Sequence, residues 1–171
     1  MRRRLLSLGA LVVGLALLVA LPAAAGAKSQ SLLEFQSMTG VPKFFTGATN
    51  PVRGLAGGGL PWVVASAHGE LSSGGHVEVK FDGLTLDPND PDVVSRGLAG
   101  NNPIGSMQVI VSCLTTSGAT ANVATAAFPV TTGVGAGDGK VEADLALPDP
   151  CIAPLVFITS TGGAWFAVDG G

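Results

Sequence analysis

Residues 106–115 read SMQVIVSCLT, a run whose apolar side chains occupy both alternating positions of an extended chain. A strand with this pattern is typically covered on both faces, at the centre of a sheet. Leu155–Ile158 has the same character, whereas Val141–Leu147 alternates strictly and predicts a strand with one face in water. Because no segment shows a sustained helical period with end caps, the chain is predicted to be all-β.

Short β-branched runs recur along the chain between clusters of Gly, Pro, Asn and Asp, which is the pattern of strands joined by turns. About eight strands are predicted, at Leu33–Thr39, Pro61–Leu71, His76–Leu86, Ser106–Thr115, Asn122–Thr131, Lys140–Leu147, Pro154–Thr159 and Ala164–Val168. We expect them to form a single β-sandwich with an immunoglobulin-like look, in one domain that covers residues 28–171.

The first 27 residues carry the pattern of a cleaved signal peptide. Arg2–Arg4 supply the positive start, an apolar run follows over Leu5–Leu21, and small residues allow cleavage after Ala25 or after Ala27. A membrane anchor, which needs about 20 apolar residues, is the less favoured interpretation. Three arginines also permit twin-arginine export, but the strong apolar run favours general secretion. The mature protein is therefore expected to be extracellular and free of the membrane.

Acidic residues outnumber basic ones. The chain has nine Lys and Arg residues against twelve Asp and Glu residues, and three of the nine lie in the leader, so the mature chain carries about −6 at neutral pH. Proteins that bind nucleic acid or anionic lipid present clustered positive charge. The sequence excludes nucleic acid as a partner on this ground. No cofactor-binding motif is present, so no cofactor is expected.

Cys113 and Cys151 are the two cysteines of the chain. In an exported protein an even pair predicts a disulfide, and a loop of this length gives about 4 kcal/mol of stabilisation in the chain-entropy model. A redox-active or nucleophilic thiol is the alternative, but neither cysteine lies in a Cys-x-x-Cys motif or beside a positive charge. We therefore predict a structural disulfide.

Two segments, Gly40–Leu60 and Asp87–Pro103, are too long for simple hairpin connections. Both contain the pentapeptide RGLAG, at 53–57 and at 96–100. In one interpretation the two loops lie at one end of the sandwich and form an interaction surface, because loops on a rigid scaffold commonly carry binding. In the other they pack as covers over the open ends of the core. The candidate interaction residues are Asn50, Arg53, Arg96, Asn101 and Asn102.

Four short motifs resemble a set of small secreted bacterial proteins to which no activity is assigned. They are Ser112–Thr115, Pro150–Pro154, Gly163–Ala167 and Asn102–Ile104. The resemblance covers most of the mature chain and implies that the two cysteines are paired. It implies nothing about a ligand.

His68 and His76 flank the turn at 72–75. The apolar pattern of the flanking strands predicts a register in which His68 faces Glu78 and Glu70 faces His76, all on the wet face of the sheet. Two adjacent acid and imidazole pairs could hold a metal such as zinc. Ordinary cross-strand surface contacts, with no metal, are the favoured interpretation.

Asp87, Asp90 and Asp92 place three carboxylates within six residues, and carboxylate oxygens are the ligands that calcium prefers. However, Pro88 and Pro91 stiffen this segment, and neither the glycine nor the terminal glutamate of an EF-hand is present. A solvated acidic turn without metal is the favoured interpretation.

Recognisable catalytic motifs are absent from the sequence. It contains no Gly-x-Ser-x-Gly, no His-Glu-x-x-His and no phosphate-binding loop. The sequence therefore predicts a non-enzymatic exported binding or structural β-domain, whose partner is an extracellular protein or a small ligand. The alternatives are a calcium- or zinc-dependent binding module, and a secreted hydrolase without a recognisable motif.

Overall fold

The computed structural model describes residues 29–169, so the predicted signal peptide and its cleavage sites lie outside the described residues. Antiparallel strands dominate, which confirms the all-β prediction. The strands are β1 Ser31–Phe35, β2 Met38–Gly40, β3 Trp62–Val63, β4 Ser66–Ser72, β5 His76–Asp82, β6 Thr85–Leu86, β7 Asn101–Asn102, β8 Ser106–Leu114, β9 Thr120–Ala124, β10 Phe128–Pro129, β11 Gly133–Val134, β12 Gly139–Asp144, β13 Ile152–Ser160 and β14 Trp165–Asp169. A 3-10 turn at Lys43–Phe45 and a short helix α1, Pro91–Ser95, complete the described secondary structure.

Two larger sheets and two small ribbons contain these strands. One sheet has the order β1-β4-β5-β12, and the other has the order β10-β8-β13-β14-β2, with β9 also paired to β8. The ribbons are β3 with β6 and β7 with β11. The strands predicted to be covered on both faces, β8 and β13, lie next to each other inside the six-stranded sheet. Their central residues are buried at both parities, as their sequences predict.

Several predicted strands are each divided in two. The predicted strand Leu33–Thr39 becomes β1, which pairs with β4, and β2, which pairs with β14 in the other sheet. The chain bends at Gln36 because its two halves hydrogen-bond to different sheets. The predicted strands at 61–71 and 76–86 are divided between sheets in the same way, whereas the strand at 122–131 becomes β9 and β10, which both pair with β8. The structure therefore has more strands than the eight predicted.

The two larger sheets contribute side chains to one apolar core. Val79 and Phe81 of β5 and Val109 and Val111 of β8 are fully buried. The ring of Phe81 lies 6.2 Å from the ring of Phe128 on β10, across from one sheet to the other. Each buried side chain of this kind contributes about 1.5–3 kcal/mol to folding. The core thereby fixes the two sheets on which the candidate sites lie.

Cys113 and Cys151 form a disulfide, as predicted. Cys113 lies fully buried on β8, and Cys151 immediately precedes β13. The bond therefore ties the ends of two adjacent strands of the six-stranded sheet. Within residues 29–169, no helix has the length and apolar character needed to cross a bilayer.

Candidate functional site

A stacked aromatic pair forms the floor of an apolar groove. Trp62 of β3 and Phe166 of β14 have ring centroids 4.4 Å apart and planes inclined by 32°. Leu86 lies directly opposite Trp62 in the ribbon of β3 and β6. Trp62 is 4% exposed and Phe166 is 5% exposed, so both rings are held by packing from below. The floor is rigid because it is part of the core.

The walls of the groove come from the two long segments that the sequence singles out. Gly59 and Leu60 end the first segment, and Leu98, Pro103 and Ile104 belong to or follow the second. The groove between them has a volume of about 370 Å³. The structure therefore brings the two segments together, but through their apolar residues.

Backbone hydrogen bonds hold both walls in place. In the first segment, Gly58 N–H donates to the carbonyl of Trp165 at 2.8 Å, so the segment lies along β14. In the second, Gly100 N–H donates to the carbonyl of Leu86 at 3.1 Å. The carbonyl of Pro61 accepts from Asp87 N–H at 2.9 Å and joins the two segments. These bonds indicate that the groove is preformed.

Two adjacent glycines play different parts at the groove. A Cβ atom at Gly58 would lie 3.0 Å from Cδ1 of Phe166 and 3.1 Å from Nε1 of Trp62, so only glycine fits closely against the aromatic pair. A Cβ atom at Gly59 would meet nothing within 4 Å. Gly59 lines the groove, so position 59 accepts a side chain that can extend into its open space.

Arg96 stands at the rim and is the one charged residue among those that line the groove. It is exposed and forms the C-cap of α1. Within the described residues no carboxylate oxygen lies within 4.0 Å of its guanidinium. The nearby Asp92 instead pairs with Lys43, Nζ to Oδ2 at 2.8 Å. This hydrogen bond lowers the pKa of Asp92, and the charge of Arg96 makes a smaller contribution in the same direction.

The aspartate segment is only partly the solvated acidic turn that the sequence predicts, because Asp92 is exposed whereas Asp90 is not. Asp90 is buried and caps α1, its Oδ1 accepting from the N–H groups of Asp92 at 2.9 Å and Val93 at 3.2 Å. Asp87 Oδ1 accepts from Asn89 N–H at 2.9 Å. An Asp before a Pro at the first helical position is a recognised helix start, so the signal for α1 was present in Asp90-Pro91. Asp87 and Asp90 therefore order the chain locally, while Asp92 pairs with the distant Lys43.

Two of the predicted interaction residues brace the first long segment. Asn50 Nδ2 donates to the carbonyl of Phe44 at 2.8 Å. Arg53 Nη2 donates to the carbonyl of Ala153 at 2.9 Å, and the carbonyl of Arg53 accepts from Asn122 at 3.1 Å. The Arg53 side chain therefore packs against β13, and it does not line the groove that Arg96 borders.

Two further predicted residues, Asn101 and Asn102, form strand β7. Asn102 is fully buried, with Nδ2 donating to the carbonyl of Thr131 and Oδ1 accepting from Ile104 N–H, both at 2.9 Å. Asn101 is half-buried and lies opposite Val134. For these asparagines the structure favours the cover interpretation, and among the five candidates Arg96 alone borders the groove.

The predicted histidine pairing is wrong. Both histidines lie on the wet face of the four-stranded sheet, but His68 lies opposite Lys80, and Glu70 lies opposite Glu78. The register differs from the predicted one by two residues. The apolar pattern fixes which face a residue occupies, while the turn, here residues 73–75, fixes the partner.

His76 instead lies opposite Asp144 of β12. Its Nδ1 is 2.9 Å from Asp144 Oδ1, and its Nε2 is 3.7 Å from Glu142 Oε1. The hydrogen bond to Asp144 is the largest cause of a raised pKa of His76, with smaller contributions from the charges of Asp144, Glu142 and Glu70. The arrangement favours an imidazolium held by carboxylates.

A shallow trough of about 230 Å³ lies beside this cluster, between Glu34, Gln36, His68, Glu70 and Glu78. Three of the residues that line it are glutamates. Across residues 29–169, however, no group of three or more His, Cys, Asp or Glu side chains is arranged to hold a metal ion. The trough thus lacks a ligand set for zinc or calcium.

Trp62 and Phe166 were not predicted as a binding site. They are 104 positions apart in the sequence, and each reads as an ordinary core residue of its own strand. The sequence holds one signal: the run of three glycines at 57–59 lies two residues before Pro61-Trp62, separated from it by Leu60. Such a run permits close approach of the backbone to a ring.

Comparison of the chain with protein-family models, with curated proteins and with solved structures finds no match.

Proposed function

We propose that this protein is a non-enzymatic, exported β-domain that binds a small ligand with an apolar body in the groove over Trp62 and Phe166. One observation carries the proposal: two long irregular segments converge on a rigid aromatic floor and leave about 370 Å³ open between them. Ligand sites are typically concave, largely apolar and preformed, with volumes of about 300–1,000 Å³ and few polar groups. The groove is shallow and open to solvent, and its apolar lining, its volume and its single charged residue match this description.

The fold proposed for this module is a β-sandwich with an immunoglobulin-like look. The contact between Phe81 and Phe128 across the two larger sheets supports it, as does the shared apolar core. Export is supported by the disulfide, because such bonds persist in oxidising compartments. Membership among small secreted bacterial proteins belongs to the same proposal.

A binding role is favoured over the alternatives by the local contacts of their candidate residues. Oδ1 of Asp87 and Oδ1 of Asp90 accept hydrogen bonds from backbone N–H groups, so these carboxylates already order the local chain. His76 faces two carboxylates, and across residues 29–169 no histidine is hydrogen-bonded to a serine. A metal-dependent module and a hydrolase therefore have no specific observation in their favour.

The test uses N-phenyl-1-naphthylamine, a neutral apolar probe whose fluorescence rises on leaving water. We expect the purified protein to bind it, and the Gly59→Phe variant to bind at least about tenfold more weakly, since the new ring would occupy the groove. Gly162→Phe is the matched control, because a Cβ there has a single neighbour, at 3.7 Å, and lies in the turn before β14.

Thermal melts of both variants establish that each is folded. Absence of probe binding to the folded parent protein would refute the proposal. Equal binding by the parent and by Gly59→Phe would also refute it, because the probe would then lie elsewhere.

A further inference from the structure

We infer that the ligand of this groove is a small apolar monocarboxylate, whose carboxylate pairs with Arg96 at the rim. The inference rests on the proposed function, because it names the ligand class for the same groove. Its starting point is that Arg96 is the one charged residue lining an otherwise apolar site. A neutral apolar ligand would gain nothing from that charge, whereas the guanidinium fork matches a carboxylate in a bidentate geometry.

The carboxylates nearest Arg96 in sequence are already engaged by other groups. Asp92 pairs with Lys43 at 2.8 Å, and Asp90 lies 3.6 Å from the same Nζ while it caps α1. Asp87 accepts from Asn89 N–H. These carboxylates are already paired with other groups. The guanidinium of Arg96 is therefore available to donate hydrogen bonds to an incoming anion.

The charge of the ligand follows from the same contacts. Lys43, the other cation of this region, is held by Asp92 and Asp90, which leaves one guanidinium at the groove. The surrounding domain is acidic and would repel a ligand with several negative charges. One available cation therefore fits one carboxylate better than a polyphosphate or a sulfated sugar.

The position of Arg96 is fixed before any ligand arrives. Its N–H donates to the carbonyl of Val93 at 3.3 Å, and Leu98 N–H donates to the same carbonyl at 3.1 Å. Val93 is itself fully buried. The backbone at the rim is therefore fixed, so binding has only the exposed Arg96 side chain to order.

The size of the ligand follows from the groove volume. At about 30 Å³ for each water-sized group, about 370 Å³ accommodates about twelve non-hydrogen atoms. Decanoate has about this size, and decanol is its neutral counterpart with nearly the same apolar body. The two compounds therefore separate the contribution of the carboxylate from that of the chain.

The experiment measures how decanoate and decanol displace N-phenyl-1-naphthylamine from four proteins: the parent, Arg96→Gln, Arg96→Lys and Lys80→Gln. In the parent, decanoate should bind about two- to fivefold more tightly than decanol, as expected for an ion pair with an exposed arginine. Arg96→Gln should lose this preference and leave decanol binding unchanged. Arg96→Lys should retain part of it, since a lysine supplies the charge without the fork.

Lys80→Gln is the matched control, because it removes one exposed positive charge from the four-stranded sheet. It should leave the preference for decanoate intact.

Equal binding of decanoate and decanol to the parent would overturn the carboxylate inference while the groove remains a binding site. Retained preference in Arg96→Gln, or equal loss in Lys80→Gln, would overturn the role of Arg96. Displacement by neither compound from a protein that binds the probe would overturn the assigned ligand class, and no binding of the probe itself would overturn the proposed function.

Discussion

His76 and Asp144 lie directly opposite each other on β5 and β12, with Nδ1 of the imidazole 2.9 Å from Oδ1 of the carboxylate. The pair links the strand that follows the turn at 73–75 to the edge strand of the four-stranded sheet. Glu142 lies 3.7 Å from the other ring nitrogen. Protonation of one ring therefore strengthens the attachment of β12 to its neighbour.

Replacement of His76 should remove a pH-dependent part of the stability. The pKa of His76 is raised in the folded state, chiefly by Asp144. The contribution of His76 to folding stability is therefore fully present at a pH below its pKa in the unfolded state, near 6.5. It is lost as the pH rises through the folded pKa. His76→Gln should therefore lower the free energy of unfolding at about pH 5.5 and have little effect at about pH 9, as measured by urea unfolding. His68→Gln, opposite Lys80, is the control; equal losses in both variants would contradict the prediction.

Removal of the disulfide should destabilise the fold without altering the groove. Replacing Cys113 and Cys151 together by Ala is expected to lower the free energy of unfolding by about 2–5 kcal/mol. The bond joins two strand ends 38 residues apart, and Cys113 is fully buried. Urea unfolding measures the loss, and the parent protein in reductant should show a similar one. Alkylation of two thiols in the unreduced parent would contradict the pairing.

The sequence predicts the central strands well, because burial on one or both faces of a strand determines which of its positions are apolar. β8 and β13 are apolar at both parities and are buried at both. Val141 is buried between the exposed Lys140 and Glu142, as strict alternation predicts. The histidine register could not be predicted in this way, because a shift of two residues leaves every side chain on its own face. Only the geometry of the turn distinguishes the two registers.

The groove could not be predicted from local pattern, because its floor is assembled from strands remote in sequence. Trp62 and Phe166 meet only after the β3 and β6 ribbon lies beside β14. Arg96 was a candidate interaction residue because it is a charged residue in a long loop, and the structure places it at the rim of the groove. Asn102 was a candidate because it is a polar residue in a long loop, yet its side-chain amide makes hydrogen bonds within the protein. A polar loop residue alone does not reveal which of these roles it has.

A methyl group at Gly75 should destabilise the hairpin more than one at Gly118. Both glycines adopt a positive φ, +86° and +79°, where an L-residue costs about 1–2 kcal/mol. A Cβ at Gly75 would in addition collide with the backbone carbonyl of Leu145, whereas one at Gly118 meets nothing within 4 Å. Gly75→Ala should therefore lower the free energy of unfolding by clearly more than Gly118→Ala in urea titrations. Equal losses would show that the collision is relieved by a shift of the chain after β12.

Asp169 is a buried carboxyl group that is only partly satisfied. Its Oδ1 accepts from Val156 N–H at 2.7 Å, while Oδ2 is buried and has no hydrogen-bond partner among residues 29–169. Burial is the largest cause of a raised pKa of Asp169, and the bond from Val156 opposes it in part. The folded protein therefore disfavours the ionised form.

Asp169→Asn should change the pH dependence of stability in a defined direction. Since the folded pKa of Asp169 is raised, the folded state holds its proton more tightly than the unfolded state, and stability from this group falls as the pH rises from about 4 through the folded pKa. Relative to Asp169→Asn, the parent should be most stable near pH 3 and lose that advantage by pH 7.

Asparagine retains an acceptor for Val156 N–H, whereas Asp169→Ala leaves that buried donor unpaired and should cost about 1–3 kcal/mol at every pH. Urea unfolding of the three proteins between pH 3 and 7 measures both effects. A parent that gains stability over Asp169→Asn as the pH rises would show that the carboxylate is stabilised as the anion.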